Sequence, residues 1–311
     1  MALLKEEAAK LSNNQLEQGI IEEIIEKDQM FSLLPFARVN GKAYVYNRES
    51  TVAENNITTG AGKPGFVAVG GVITEGAVPF KEVTTHLRIL AGDVDVDKFL
   101  QETQSDTNDQ MAVQIAAKAK AIGRLYHDAL ANGSVASNPN SFDGIRALLT
   151  NADSNPDQTI GATTTKVGLS FELLDALLDK VPEGADAIIM RRGTLRSLRV
   201  ALRAQGGSTA QEVIVNEFGQ PQIAHNGVPI LINDYLPTEG AGNDTCSVYA
   251  ARLNEVDGLH GLYGGAAAGI RVESVGTVQN KDADRIRLKW YSGLALKSTK
   301  SLARLAGITN I

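Results

Sequence analysis

The sequence predicts an α+β fold from three stretches. One is a long amphipathic helix in the first half of the chain. The second is a pair of alternating strands separated by about thirty residues rich in Gly and Thr. The third is a later run in which short strands and helices take turns.

The helix is expected over about 107–132. Thr107 with Gln110 three residues on makes a capping-box pattern, and Gly133 stands where a C-cap belongs. Met111, Ile115, Ile122, Leu125, Tyr126 and Ala129 recur at helical spacing, with Lys118, Lys120, Arg124 and Asp128 on the polar side. At 1.5 Å per residue this is a rod of roughly 40 Å, long for a small sheet to need.

Ahead of it, Leu3, Leu4, Ala8 and Leu11 predict a first short helix. Ser12–Gln15 offers a fresh N-cap before Leu16, Ile20, Ile21, Ile24 and Ile25. That second stripe is narrow, which suits either a helix packed on its own domain or an arm reaching a neighbour. After Pro35, 42–46 alternates as a strand and 80–89 alternates as its return. Between them, 47–79 holds few residues able to anchor a core, so a projecting hairpin ordered by partners is expected. Asp93, Asp95 and Asp97 alternate, but Lys98 and Gln104 occupy the positions where a calcium loop needs Gly and Glu. They are expected to line the solvent face of a strand end, before a short helix at 97–102.

Beyond the long helix, 142–149 reads as a short helix or tight turn and 151–165 as a polar linker. A helix is expected at FELLDALLDKV, an apolar strand at 186–190, and an amphipathic helix from Arg191 to Gly206. Leu195, Leu198 and Leu202 form the apolar stripe of that last helix, and Arg192, Arg196, Arg199 and Arg203 the opposite one. Four arginines on one face suit solvent, phosphates, or the carboxylates of a neighbouring subunit. A strand, a His-Asn-Gly turn and a second strand follow over 219–234. Short strands are then expected near 246–253, 259–265 and 269–276, an alternating stretch at 285–298, and an apolar strand or turn at 301–308.

The chain has 311 residues, 43% hydrophobic and 21% charged, with a formal charge of −6. That balance opposes a dedicated nucleic-acid binder. No stretch reaches the roughly 18 apolar residues of a membrane-spanning helix, and the N-terminus lacks the pattern of a secretory signal. The single cysteine, Cys246, excludes an intrachain disulfide and is expected to be a small buried hydrophobe beside Tyr249. His86, His127, His225 and His260 share no ligand spacing, and no Gly-x-Ser-x-Gly elbow or paired-His zinc motif occurs. Gly264–Gly269 has the glycine spacing of a phosphate loop, but Ile270 and Arg271 replace its Lys and Ser/Thr. No catalytic residue, cofactor or metal is therefore assigned.

In this order the features resemble the major capsid proteins of tailed phages, the Hong Kong 97-type fold, over nearly the whole chain. The matching stretches are the helical arm, the hairpin with its Glu75–Pro79 turn, Val94–Phe99 before the long helix, and the Phe142–Ile145 turn. They continue through Ala185–Met190 with the Gly193–Leu198 helix, Asn226–Ile230, Asn233–Pro237 and Trp290–Ala303.

The resemblance implies an arm at 1–39, an extended hairpin at 40–92, a peripheral domain at 93–150 and 265–311 carrying the spine helix, and an apical domain at 151–264. It further implies a non-enzymatic shell protein in a virion, made in the host cytoplasm. Such a protein assembles with itself as hexamers and pentamers around double-stranded DNA, held without sequence specificity and with no membrane. Because the chain reaches its arm at once from Met1, a separate scaffolding protein is expected, with a portal and decoration proteins as further partners. Contacts between subunits are expected at Arg192, Arg196, Arg199 and Arg203, at Lys63 and Glu75 on the hairpin, and at Ile20 and Ile24 on the arm. The family's Lys–Asn crosslink is not carried over, since nothing pairs Lys42, Lys63 or Lys81 with an Asn. Encapsulin-type nanocompartments share the implied fold, and an α/β enzyme with an unrecognised site is the alternative of another class.

Overall fold

A computed structural model describes residues 28–49, 68–72, 80–103, 109–151, 155–204, 212–215, 221–240, 242–265 and 268–310. The two expected N-terminal helices, with Ile20 and Ile24, lie outside these residues, as do Lys63, Glu75 and the expected cap at Thr107.

The described chain opens on a short helix α1 (Met30–Leu33), followed by strands β1 (Phe36–Val39) and β2 (Ala43–Glu49). β3 (Phe80–His86) pairs antiparallel with β2 from Ala43↔His86 to Glu49↔Phe80, so the expected hairpin stem is present. β4 (Arg88–Asp97) and helix α2 (Lys98–Thr103) lead to the long helix α3 (Gln110–Asn132). The N-cap of α3 is Asp109, whose Oδ1 accepts the backbone N–H groups of Met111 and Ala112 at 3.0 and 3.3 Å. The side-chain amide of Gln101 donates to the same oxygen at 2.8 Å and holds the carboxyl below its ordinary pKa, aided by those N–H groups.

Gly133 ends α3, though with a right-handed φ of −57°. Its glycine identity comes from crowding, because a Cβ there would stand 2.6 Å from the Phe142 carbonyl oxygen. Gly144 is crowded in the same way by the carbonyls of Ala129 and Leu130. The two glycines let the chain fold back on the helix end before helix α4 (Ile145–Leu148).

The second half contributes β5 (Thr159–Ile160), α5 (Phe171–Asp179), β6 (Ala187–Met190), α6 (Arg192–Ala204), β7 (Glu212–Val215), β8 (Pro221–His225) and β9 (Val228–Ile232). It continues with β10 (Thr238–Glu239), β11 (Thr245–Ala251), β12 (Leu259–Gly264), β13 (Arg271–Thr277), β14 (Ala283–Leu296) and β15 (Leu302–Thr309). β8 and β9 are joined by Asn226-Gly227, with φ of +50° and +78°, the backbone of a type I′ hairpin turn.

The described strands form two large sheets besides the hairpin. The smaller runs β1-β12-β14-β13, with β4 on the other edge of β14. β14 serves two partners along one edge: β13 along its first half and β12 from Ser292 to Leu296. The larger runs β5-β15-β11-β6-β9-β8-β7, with β10 on β11.

These pairings correct the expected division of the chain. Residues 36–39 are a sheet strand and not arm, and Met30 and Leu34 are core. Residues 88–92 leave the hairpin and run along β14. β12 belongs to the smaller sheet and β15 to the larger, the reverse of a cut at 264/265. Residues 159–160 of the expected linker pair with β15. Sequence proximity suggested each misplaced assignment; partners far along the chain decide it.

α3 lies on the smaller sheet. Met111, Ile115, Ala119 and Ile122 meet Val94, Val96, Ile286 and Leu288. Leu125, expected on this stripe, is exposed, because it lies one residue and about 100° round from buried Tyr126. Farther along, Tyr126, Leu130 and Phe142 join Trp290 and the near face of the larger sheet, Ile189, Tyr249 and Leu302. The other face of that sheet, Ile188, Met190, Val248 and Leu305, is covered by α5 and α6. The central strands β6 and β11 are thus buried on both faces, which explains the unbroken apolar run of β6 and the burial of every residue of β11. Cys246 is buried in the same cluster as Tyr249, and burial pushes its thiol up to about 11, so it is inert packing.

Candidate assembly surfaces

Three surfaces stand out among the described residues, and each follows from a local sequence pattern.

The first is the root of the hairpin. Alternation on β2 puts Tyr44, Tyr46 and Arg48 on one face. Tyr46 Oη donates to the Leu296 carbonyl at 2.6 Å, and Arg48 Nε to the Lys297 carbonyl at 2.6 Å. Arg48 Nη2 also donates to the Leu296 carbonyl. The hairpin is fastened to the main chain at the end of β14, while its opposite face exposes Val45 and Phe80 at 52% and 72%. A two-stranded ribbon is marginal by itself, and the contacts at its root supply part of the support it lacks.

Tyr44 stands edge-on to His260, with ring centroids 5.7 Å apart. His260 is fully buried on β12; Nδ1 lies 3.3 Å from the Gly258 carbonyl, and Nε2 has no partner among the described residues. Burial, chiefly, lowers its pKa below 6.5; Lys297 acts in the same direction, against Gly258 and Glu255. The unfolded chain therefore binds the proton more readily. Stability from neutral His260 is complete above pH 6.5 and is lost as pH falls toward the folded pKa. Urea midpoints at pH 7.5 and 5.5 should fall more for the wild type than for His260→Phe. Equal falls would exclude His260 as the source.

The second surface is the outer face of the smaller sheet. Asp93 and Asp95, expected to be simply solvated, face Arg287 and Arg285 across the β4–β14 ladder. Both contacts are two-pronged, at 2.8 and 2.8 Å for Asp93 and 2.6 and 2.7 Å for Asp95. The guanidinium hydrogen bonds hold both carboxyls below the usual range. Lys289 pairs with Glu273 at 2.6 Å on the same sheet. This face is charged but internally neutralised.

The third surface is α6. Leu195 and Leu198 are buried, and Arg192, Arg196, Arg199 and Arg203 are exposed; the Leu202 side chain lies outside the described ones. Arg192 is tied to Asp234 at 2.8 Å, so the four arginines are not equivalent. Arg196, Arg199 and Arg203 pair with no carboxylate among the described residues and form an open ridge.

A separate clasp holds the first described residues to α3 and to the larger sheet. Asp28 Oδ2 lies 2.8 Å from His127 Nδ1 on α3, and its Oδ1 accepts from Asn233 at 3.1 Å. Gln29 exchanges hydrogen bonds with the backbone of Ile232, at 3.1 and 2.8 Å.

No protein-family model and no curated protein matches the chain in sequence. Solved structures match it in fold along its whole length. The holo-SrpI encapsulin complex from Synechococcus elongatus PCC 7942 matches with a TM-score of 0.72 at 19% identity, covering 99% of this chain and 97% of that one. The capsid of an empty GTA particle matches at 0.68 and 14% identity, covering 97% of each chain. The capsid of cyanophage A-1(L) matches at 0.68 and 11% identity, covering 99% of this chain and 100% of that one. The chain has the Hong Kong 97-type capsid fold.

Within this Hong Kong 97-type fold, sequence reasoning found the arginine helix, the hairpin stem and the spine helix. It missed the root contacts of Tyr46 and Arg48, although an alternating Tyr-x-Tyr-x-Arg face on an otherwise polar hairpin was the available signal. It also missed Asp28, whose partners lie 99 and 205 residues away. No described helix is long and apolar enough to cross a membrane.

Proposed function

We propose that this protein is a self-assembling shell subunit, the major capsid protein of a tailed double-stranded DNA phage. It forms hexamers and pentamers that close an icosahedral head in the virion, and its role is structural and not catalytic. The observation that carries the reading is the Hong Kong 97-type fold over 97% or more of the chain, shared with GTA and cyanophage capsids. The hairpin supports it: fastened at its root, with Val45 and Phe80 turned outward, it is built to lie on a neighbour. A net charge of −6 suits a wall that encloses DNA without gripping it. A separate scaffolding protein, a portal and decoration proteins complete the assembly.

The encapsulin match, at 19% identity, favours a second reading, a nanocompartment that encloses a protein cargo. Electron microscopy of the purified chain, expressed alone and with its neighbouring genes, tests both. Closed angular shells or rings of five and six are the expected result. Nuclease-resistant double-stranded DNA in particles from the native source marks the capsid, and a co-purifying protein cargo the nanocompartment. Small uniform oligomers in every condition would overturn the shell reading.

A further inference from the structure

α5 and α6 cover the same face of the larger sheet. Leu174 and Leu177 of the first and Leu195 and Leu198 of the second pack in one core cluster. Each helix therefore turns its polar side away from that core. On α5 the exposed side carries Glu172, Asp175 and Asp179; on α6 it carries Arg196, Arg199 and Arg203. Both sets have the spacing i, i+3, i+7, a ridge of about 10.5 Å on either helix.

The correspondence extends to the residue inside each ridge. Val200 lies four after Arg196, one after Arg199 and three before Arg203, and it is 47% exposed. Ala176 holds the same place among Glu172, Asp175 and Asp179, and is half-buried. One ridge offers an apolar knob rimmed by guanidinium groups, the other a small residue rimmed by carboxylates. An apolar centre within a charged rim is the usual anatomy of a protein contact.

The two ridges do not satisfy each other within the chain. Arg196, Arg199, Arg203, Glu172 and Asp179 make no ion pair among the described residues; Asp175 is held by His225 at 2.7 Å and Asn226 at 2.8 Å. We infer that the α6 arginine ridge of one copy docks on the α5 acidic ridge of the next. The surfaces are different, so the contact is head-to-tail, the kind that closes rings by rotation. The inference rests on the shell reading and names which surfaces meet in its rings.

Charge reversal in the full-length chain tests it. One variant carries Arg196→Glu and Arg199→Glu, the other Glu172→Lys and Asp179→Lys. Each alone should lower the assembled fraction, read by sedimentation velocity and electron microscopy, by about tenfold or more, through like charges placed face to face. Thermal midpoints should stay near the wild type, since all four side chains are exposed. Both pairs of substitutions in one chain restore opposite signs and should restore rings. The two variants mixed can only alternate, so rings of six should form and rings of five should not, leaving no closed shells.

Reversed variants that assemble like the wild type overturn the ridge pairing, as does a folded four-substitution chain that fails to recover. Should a reversal unfold the subunit, Arg196→Gln with Arg199→Gln replaces it; an unchanged assembled fraction there also overturns the pairing. Failure of the wild type to form rings sinks the shell reading as well. Wild-type rings with indifferent variants sink the ridge pairing alone.

Discussion

Replacement of Arg304 by methionine is expected to lower the unfolding free energy by about 3–5 kcal/mol, because it strands a buried carboxylate. The Arg304 and Glu239 side chains are 6% and 3% exposed. Arg304 Nη2 donates to Glu239 Oε1 at 2.6 Å, Arg304 Nε to Ser247 Oγ at 2.9 Å, and Ser247 Oγ to Glu239 Oε2 at 2.7 Å. Three strands, β10, β11 and β15, are joined through this closed triangle. Without the guanidinium, Glu239 keeps, among the described residues, Ser247 and the more distant Arg146 Nε at 3.5 Å. Glu239→Leu alone should cost a similar amount, by leaving Arg304 buried and unpaired. The two together should cost far less than their sum, since two apolar groups leave no orphaned charge. Urea unfolding of both single variants and the double measures the coupling; simple additivity would show that the pair does not act as a unit.

The second large effect is expected at Trp290. Its ring lies 4.2 Å from that of Tyr126, with Phe31 edge-on to both, at the point where the smaller sheet, α3 and the larger sheet share one core. Trp290→Ala opens a cavity in a site with little room to collapse and should cost about 3–5 kcal/mol. The indole N–H has no acceptor among the described residues, so the ring contributes by packing and not by hydrogen bonding. Trp290→Phe should therefore retain most of the stability, a loss of under about 1.5 kcal/mol. As the chain's single tryptophan, Trp290 reports this junction by its own fluorescence in the wild type, and circular dichroism follows the variants. Equal losses for Trp290→Phe and Trp290→Ala would overturn the packing account.

What the sequence made legible was whatever depends on near neighbours. The Leu195/Leu198 stripe of α6, the apolar run of β6 and the Asn226-Gly227 turn are each determined within a dozen residues. The N-cap was misread by two positions, because Thr107 with Gln110 imitates the pattern and the Asp109 side chain performs it. Pairings at long separation left weaker traces. Asp93 and Asp95 alternate on one strand and Arg285 and Arg287 on another, some 190 residues on; each pattern was seen, and their meeting was not. Arg304 inside an otherwise apolar run was a signal of the same kind. A charge there requires a buried counter-charge, and Glu239 stands in a segment with no apolar pattern to mark it.

The place of β15 in the larger sheet has a consequence for synthesis on the ribosome. β15 lies between β5 and β11 and joins both, yet it follows β11 by about fifty residues and β5 by more than one hundred and forty. While the nascent chain lengthens, β11 presents the unpaired backbone edge that β15 will later take, the kind of edge to which foreign strands add. The triangle around Glu239 also stays open until Arg304 emerges. Chains made side by side on one messenger are thus exposed to mispairing with one another until each has inserted this late strand.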